Sequence, residues 1–231
     1  MKAHAKSLKV ICVTALMSTL AALLTAGPAP PLPQDVVTVG IVNGPQFTVV
    51  DVPVSIRDVS GTPLGLDQPP GSRIQSYSIK VNYAPASAVQ SISFSRAGIT
   101  QSLTPTFENS PSSPGSISLL DTFQESTNLI PFTLNGLPPG NQVAHLLVTL
   151  SPTVTVGQVI TLTLDPTLTQ LTDEAGDPAT IETTANTRLA LVSGSITVVW
   201  TVSGTRRICI TTAHARAHGI CAPATMSQGN Q

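Results

Sequence analysis

The sequence predicts an all-β protein built as a single β-sandwich. Residues that favour strands and turns dominate, since Val, Thr, Ser and Leu are abundant and the 231 residues include 20 Pro and 16 Gly. About nine short segments alternate between apolar and polar side chains, the pattern of half-buried strands, and no segment has a convincing helical period. A hydrophobic content of 41% is sufficient for the core that such a sandwich needs.

The N-terminus reads as a signal peptide covering residues 1–26. Three lysines precede a run of apolar residues, and small residues at 25–27 offer a cleavage site. A membrane anchor is the alternative interpretation. The run is shorter than the roughly 20 residues that a spanning helix needs, and a Pro-rich linker at 27–34 follows it, which favours cleavage and export.

The charge of the predicted sandwich is acidic. Residues 27–205 contain all 12 acidic side chains but only five of the 11 basic ones, whereas residues 206–231 contain three arginines and no acid. An acidic domain repels phosphates and anionic headgroups. We therefore expect neither nucleic acid nor a membrane, beyond export, as the partner of this domain.

The first two predicted strands have clear inner faces. The segment "VVTVGIV" places Val37, Val39 and Ile41 on one face, and "VVDVPVSI" does the same for the apolar residues at its even positions. Pro53 lacks a backbone donor, so this second strand is predicted to lie near an edge or a bulge. A turn-rich loop follows at 58–73.

The next segment, "IQSYSIKVNYAP", has the sharpest alternation in the chain. Its odd positions, Tyr77 to Tyr83, are apolar and are predicted to face the core, so the two tyrosines form no exposed platform. The even positions form a polar outer face, and Pro85 ends the strand. The residues of that outer face, our candidate contact surface, are Ser76, Ser78, Lys80 and Asn82.

The remaining strands are predicted at "VQSISFS", "GSISLLDTF", "NLIPFTL", "VAHLLVTLS", "GQVITLTLD", "RLALV" and "SITVVWTV". In the last of these, Trp200 shares its parity with Ile196 and Val198 and is predicted to lie in the core. Four phenylalanines lie in or near loops, where some could be exposed: Phe47, Phe107, Phe123 and Phe132. An aromatic content of 3% argues against strong glycan binding.

Several of these segments follow one another in an order that resembles cohesin modules. They are "VTVGIVNG", "VVDVPVSIRDVSG", "IQSYSIKVNYAP", "GNQVAHLLVTLSPTVTVGQVITLTLD", "LTDEAGDP" and "VSGSITV". The resemblance covers roughly residues 35–202, and Ala84 stands where the family pattern usually has Asp. It implies a nine-stranded jelly-roll sandwich over residues 35–203 that binds a dockerin-type module. Relatives with the same sandwich bind cellulose or other glycans directly.

Catalytic groups are sparse before the tail. His145, in "VAHLLV", lies on the polar side of its predicted strand with no nucleophile motif beside it, so a surface histidine is favoured over a general base. The acidic turn with Asp173, Glu174 and Asp177 offers clustered oxygens to a structural calcium ion, although a solvated turn explains the same residues. We expect no other cofactor and no enzymatic activity.

The tail, residues 204–231, is basic and irregular in pattern. Cys209 and Cys221 could form a disulfide in an oxidising compartment. With His214 and His218 they could instead hold zinc, although the spacing matches no familiar zinc motif, and a disordered tail is the simplest alternative.

These observations favour a secreted, non-catalytic binding module, extracellular or at the cell surface. The resemblance to cohesin modules implies that it holds a dockerin-like protein module and takes part in polysaccharide degradation. Direct binding of a polysaccharide by the same sandwich is the second hypothesis. A cell-surface structural or adhesion domain is the third.

Overall fold

The computed structural model describes residues 31–200, so the predicted signal peptide and the basic tail lie outside the described residues. The described part contains thirteen strands, one four-residue helix, α1 (Glu125–Asn128), and two 3-10 turns. The prediction of an all-β chain is confirmed. The strands are β1 (Asp35–Val39), β2 (Ile41–Pro45), β3 (Val49–Arg57), β4 (Ser76–Ala84), β5 (Val89–Arg96), β6 (Phe107–Asn109), β7 (Ser112–Ser113), β8 (Ser116–Thr122), β9 (Asn141–Leu150), β10 (Val159–Leu164), β11 (Gln170–Thr172), β12 (Leu189–Val192) and β13 (Gly194–Val199).

The strands form two sheets that enclose one core. The first sheet has five strands in the order β12-β1-β3-β9-β5. The second has eight, with β2-β13-β10-β4-β8-β6 along its main path, β11 beside β4 and β7 beside β8. Two facing sheets, each with an inner apolar side, are the sandwich that the alternating pattern predicts.

Alternation within β3 and β4 decides which side chains enter the core. The four apolar residues at the even positions of β3 are at most 4% exposed, as predicted. On β4, Tyr77 and Tyr83 are 2% and 8% exposed and lie with Ile79 and Val81 inside the sandwich. Burying one large apolar side chain contributes roughly 1.5–3 kcal/mol, so these two strands anchor the core.

The chain passes from one sheet to the other at Gly40. β1 belongs to the five-stranded sheet and β2 to the eight-stranded sheet. The prediction of one strand with Ile41 inside is therefore wrong, because the change of sheet turns Ile41 outward to 76% exposure while Val39 stays buried. The chain changes sheets a second time between β12 and β13, and this segment packs against the first crossing at Gly40. The approach is so close that a Cβ on Gly194 would collide with the carbonyl oxygen of Gly40.

The count of nine strands also differs from the thirteen found in the described residues. The division of the first strand and the short strands β6, β7 and β11 increase the count. The segment "NLIPFTL" forms no strand, although Ile130 and Phe132 are buried. The backbone N–H of Ile130 donates to the side chain of Gln75 (2.9 Å) instead of to a neighbouring strand.

Pro53 lies in a strand that has neighbours on both sides, so the edge alternative is wrong. The alternative of a bulge is confirmed, because the register between β3 and β9 shifts between Val54 and Ser55. Pairing between β1 and β3 ends at Val39 and Val54. The ring of Pro53 faces Gly40, where β1 leaves the sheet, so no strand requires the missing N–H.

Within residues 31–200, no helix has the length and hydropathy needed to cross a bilayer.

Candidate binding surface

The four polar residues predicted as a contact surface lie on the outer face of the eight-stranded sheet. β4 runs through this sheet between β8 on one side and β10 and β11 on the other. Ser76, Ser78, Lys80 and Asn82 are half-buried between these neighbours, in strict alternation with the buried residues of the same strand. Sequence alternation was therefore sufficient to find this face.

Facing residues on the neighbouring strands extend the surface. Directly opposed residues of an antiparallel pair lie on the same face. On β8, Ser118 opposes Lys80 and Leu120 opposes Ser78. On β10, Thr163 opposes Asn82. We call the following set the β4 face: Ser76, Ser78, Lys80, Asn82, Ser116, Ser118, Leu120 and Thr163.

Hydrogen bonds hold most of the β4 side chains in place. The hydroxyl of Ser76 donates to the carbonyl oxygen of Asp121 (3.0 Å), and that of Ser78 to the carbonyl oxygen of Leu168 (2.9 Å). The amide of Asn82 donates to Asp165 Oδ2 (3.3 Å). A contact surface whose side chains are already ordered loses less conformational entropy on binding.

Lys80 carries the charge of the β4 face. None of the three ion pairs found within residues 31–200 includes it. Asp165 lies at the margin of the face, where the hydroxyl and backbone N–H of Thr167 lower its pKa and keep the carboxylate charged. The face thus offers one free cation, surrounded by hydroxyl groups and bordered by a carboxylate.

Two apolar side chains beside Ser78 escaped the sequence analysis. Leu120 is half-buried, and Leu168, whose carbonyl binds Ser78, is 49% exposed. Leu120 had a detectable signal, because it interrupts the alternation of "SISLLDT" with an apolar residue at an outward position. Leu168 lies in a turn and had none.

In the acidic turn, the carboxylates of Asp173 and Glu174 bind different parts of the chain. Asp173 accepts from the backbone of Asp177 (3.1 Å) and from the hydroxyl of Thr180 (2.8 Å). Glu174 accepts instead from the backbone of Glu125 (2.8 Å). No group of three metal-ligating side chains that could hold an ion is found within residues 31–200. The calcium site at Asp173, Glu174 and Asp177 stays a prediction.

His145 lies on the outer side of β9, as expected for a surface histidine. Its Nδ1 contacts the carboxylate of Asp51 on β3 and the side chain of Gln142. The side chains of His145 and Asp51 are 34% and 54% exposed. This contact is a cross-strand pair on the outer face of the five-stranded sheet, opposite to the sheet that carries the β4 face.

The aromatic residues divide between core and surface. Phe123 and Phe132 are buried, whereas Phe47 and Phe107 are 70% and 52% exposed. The prediction that Trp200 lies in the core is wrong, because β13 ends at Val199 and leaves Trp200 73% exposed. The possible disulfide between Cys209 and Cys221, and the zinc alternative with His214 and His218, lie outside the described residues.

Solved structures share this architecture. The third cohesin of ScaC from Acetivibrio cellulolyticus, solved with the ScaB dockerin, is 16% identical, and the match covers 72% of this chain and 99% of that one at a TM-score of 0.51. The chain has the cohesin fold. The cohesin of the Coh-OlpC-Doc435 complex from Clostridium thermocellum is 14% identical over 76% of this chain and 99% of its own, again at 0.51.

A third cohesin, from the Coh-OlpA-Doc918 complex of Clostridium thermocellum, is 13% identical over 72% of this chain and 99% of its own at a TM-score of 0.50. Neither a comparison with protein-family models nor one with curated proteins gave a match. The likeness therefore lies in the arrangement of strands, and few side chains are shared.

Proposed function

We propose that this protein is an exported, non-catalytic cohesin-like module that holds a dockerin-like protein module through the β4 face, outside the cell or at its surface. The observation that carries the proposal is the β4 face itself, an ordered sheet surface with a free lysine on a cohesin fold. The similar cohesins were solved as complexes with dockerins. The resemblance to cohesin modules implies in addition that the partner would belong to a polysaccharide-degrading enzyme.

The composition of the β4 face fits a protein partner. Exposed hydroxyl groups can bridge to a partner directly or through water, and the ordered sheet presents them at fixed spacing. Leu120 and Leu168 supply apolar contact beside Ser78. Lys80 supplies a single charge that an acidic group on the partner can neutralise, which adds specificity and increases the association rate.

Titration calorimetry of the full chain against the dockerins of the solved complexes tests the proposal. A Ser78→Glu substitution places a charge in the middle of the β4 face. Ser93→Glu makes the same change on β5 of the other sheet, where Ser93 is exposed. We expect Ser78→Glu to weaken binding at least roughly tenfold, or by about 1.4 kcal/mol, because the new carboxylate would compete for Lys80 and repel an acidic group of the partner.

The control Ser93→Glu should bind like the unaltered protein. Failure of every dockerin to bind, or an equal loss in both variants, would remove the β4 face as the dockerin site. Circular dichroism of both variants checks that the added charge has left the sandwich folded.

Direct polysaccharide binding is the second candidate, and the exposure of Trp200 favours it. An exposed indole ring offers a flat face on which a sugar can stack, a feature absent from the sequence-based expectation. Sedimentation with insoluble polysaccharides, for the full chain and for Trp200→Ala, tests this candidate. Retention that Trp200→Ala abolishes and Ser78→Glu leaves unchanged would support glycan binding.

A further inference from the structure

Three carboxylic side chains are completely buried beneath one loop. The loop, residues 58–75, connects β3 to β4, and we call it the long loop. Asp35 begins β1, Asp58 follows β3, and Glu182 pairs with Leu171 in an isolated bridge. All three are 0% exposed, which is unusual for acidic residues unless their charge is paired or removed.

Each of these carboxyl groups binds the backbone of the long loop. Asp35 Oδ1 accepts from the N–H of Val59 (2.7 Å), and Glu182 Oε1 accepts from the N–H of Leu64 (3.1 Å). Asp58 Oδ2 accepts from the N–H of Leu66 (3.0 Å). The bonds to Asp35 and Glu182, together with the fully buried side chain of Leu64, attach the first half of the loop to the sandwich, whereas the bond to Asp58 lies within the loop.

The second oxygen of each carboxyl group lacks a donor. Asp35 Oδ2, Asp58 Oδ1 and Glu182 Oε2 are buried without a hydrogen-bond partner. None of the three ion pairs within residues 31–200 includes these residues, so no basic side chain of this part of the chain neutralises them. Asp35 and Glu182 approach each other at Thr62: its hydroxyl lies 3.5 Å from Asp35 Oδ1 and 2.6 Å from the carbonyl oxygen of Leu64, the residue whose N–H binds Glu182. Each of the two carboxyl groups also shifts the pKa of the other. A proton between these two groups would supply the missing donor to both.

We infer that Asp35 and Glu182 share one buried proton and that this proton locks the long loop onto the sandwich. While at least this one proton stays in place, the pair carries no more than one negative charge and can bind the N–H groups of Val59 and Leu64 together. When the proton leaves, two adjacent carboxylates repel each other away from water. Moving apart relieves the repulsion, and it breaks the bonds to the loop.

Burial is the largest influence on both members of the pair and favours retention of the proton, although the N–H groups of Val59 and Leu64 lower the pKa of the carboxyl group that each one binds. Burial raises the pKa of Asp35, and the charge of Glu182 raises it further. Burial also raises the pKa of Glu182. Two other titratable groups face the site. The charge of Asp58 raises the pKa of both members of the pair, and the charge of Asp67 raises the pKa of Asp58. Both are acidic, so they oppose ionisation of the pair.

The direction of the pH dependence follows from the raised pKa values. The lock is complete in acid, below the ordinary carboxyl pKa of about 4, and is lost as the pH rises through the raised values. The long loop is therefore a latch that loosens toward alkaline pH. This inference does not depend on the proposed function, because it concerns the loop and not the β4 face.

Hydrogen–deuterium exchange of the full chain at pH 5, 7 and 9, with labelling times scaled to the intrinsic exchange rates, tests the latch. We expect peptides covering residues 58–67 to lose protection roughly tenfold or more between pH 5 and pH 9, since one pKa unit corresponds to a factor of ten. In Glu182→Gln, the amide remains an acceptor for Leu64 and donates to Asp35. The loop of this variant should stay protected at pH 9.

Glu108→Gln makes the same change on the exposed strand β6 and should retain the pH dependence of the unaltered protein. If Glu182→Gln fails to fold, as far-UV circular dichroism would reveal, Asp35→Asn tests the same pair. Constant protection from pH 5 to pH 9 would overturn the inference, as would an equal loss in Glu182→Gln. Release of the loop by EDTA at pH 5, reversed by calcium, would show that a cation occupies the place of the proton.

Discussion

Tyr77 and Asp121 oppose each other on β4 and β8 and are joined by a buried hydrogen bond in which the phenol donates to Asp121 Oδ2 at 2.8 Å. The two residues are 2% and 1% exposed, and Asp121 Oδ1 has no partner. Burial raises the pKa of Asp121 to about 6, although the bond from Tyr77 partly counteracts this shift. Tyr77, which the sequence assigns to the apolar core, therefore also provides a hydrogen-bond donor to the buried carboxyl group of Asp121.

Replacement of Tyr77 by Phe should destabilise the protein at pH 8 by about 1–3 kcal/mol, the cost of leaving a buried polar group without its partner. The loss should be smaller at pH 4.5, because the bond favours the ionised form of Asp121 and that form is then scarce. Urea unfolding at the two pH values measures both effects.

Tyr83→Phe is the matched control. Its hydroxyl makes only a long bond of 3.4 Å to the carbonyl oxygen of Ser113, so we expect a loss of about 0.5 kcal/mol or less. Equal losses in the two variants would mean that the bond from Tyr77 to Asp121 has no special importance for stability.

The free energy of unfolding should fall as the pH rises from 5 to 9. Burial raises the pKa values of Asp35, Asp121 and Glu182 above those of the unfolded chain. A raised carboxyl pKa means that the folded state binds the proton more tightly, so its contribution is present in acid and is lost as the pH increases through the folded value. For Asp121 this value is about 6.

Guanidinium unfolding at pH 5, 7 and 9 at constant ionic strength measures this dependence. A double variant, Asp121→Asn with Glu182→Gln, should flatten the profile because two of the four buried carboxyl groups with raised pKa values, Asp58 included, no longer titrate. Stability that increases over this range in the unaltered protein would contradict the prediction.

Two isoleucines that the sequence assigns to inner faces should respond differently to truncation. Ile56→Ala should cost about 2–5 kcal/mol, because the side chain is 0% exposed and its loss leaves a cavity. Ile41→Ala should change stability by no more than about 0.5 kcal/mol, because the side chain is 76% exposed. Thermal unfolding of both variants measures the difference, and similar losses would place Ile41 in the core.

Gly194→Ala should destabilise the protein by about 1–3 kcal/mol, the usual range for overpacking. The added methyl group would collide with the carbonyl oxygen of Gly40, at the point where two chain segments pass between the sheets. Gly136→Ala is the control, since its nearest neighbour would be 3.3 Å from the new Cβ. Denaturant midpoints of the two variants test the packing, and equal midpoints would argue against a close approach at Gly194.

The inner and outer faces of β3 and β4 could be predicted from the sequence alone. In an extended chain the side-chain direction reverses at every residue, so the pattern of Val50 to Ile56 or of Ser76 to Tyr83 determines its own faces. The same local rule gave the sandwich and the polar part of the β4 face, including Lys80.

Only the tertiary structure decided where the chain changes sheets and which distant groups meet. The rule of alternation fails at Gly40, because a change of sheet reorients the residues that follow and exposes Ile41. It also fails at Trp200, which is exposed because β13 ends at Val199. The buried acids depend on loop backbone far away in sequence, as when Glu182 binds the N–H of Leu64. A local sequence pattern cannot predict such a partner. The cost of burying a carboxyl group is offset by hydrogen bonds that form only when distant segments meet in the folded chain.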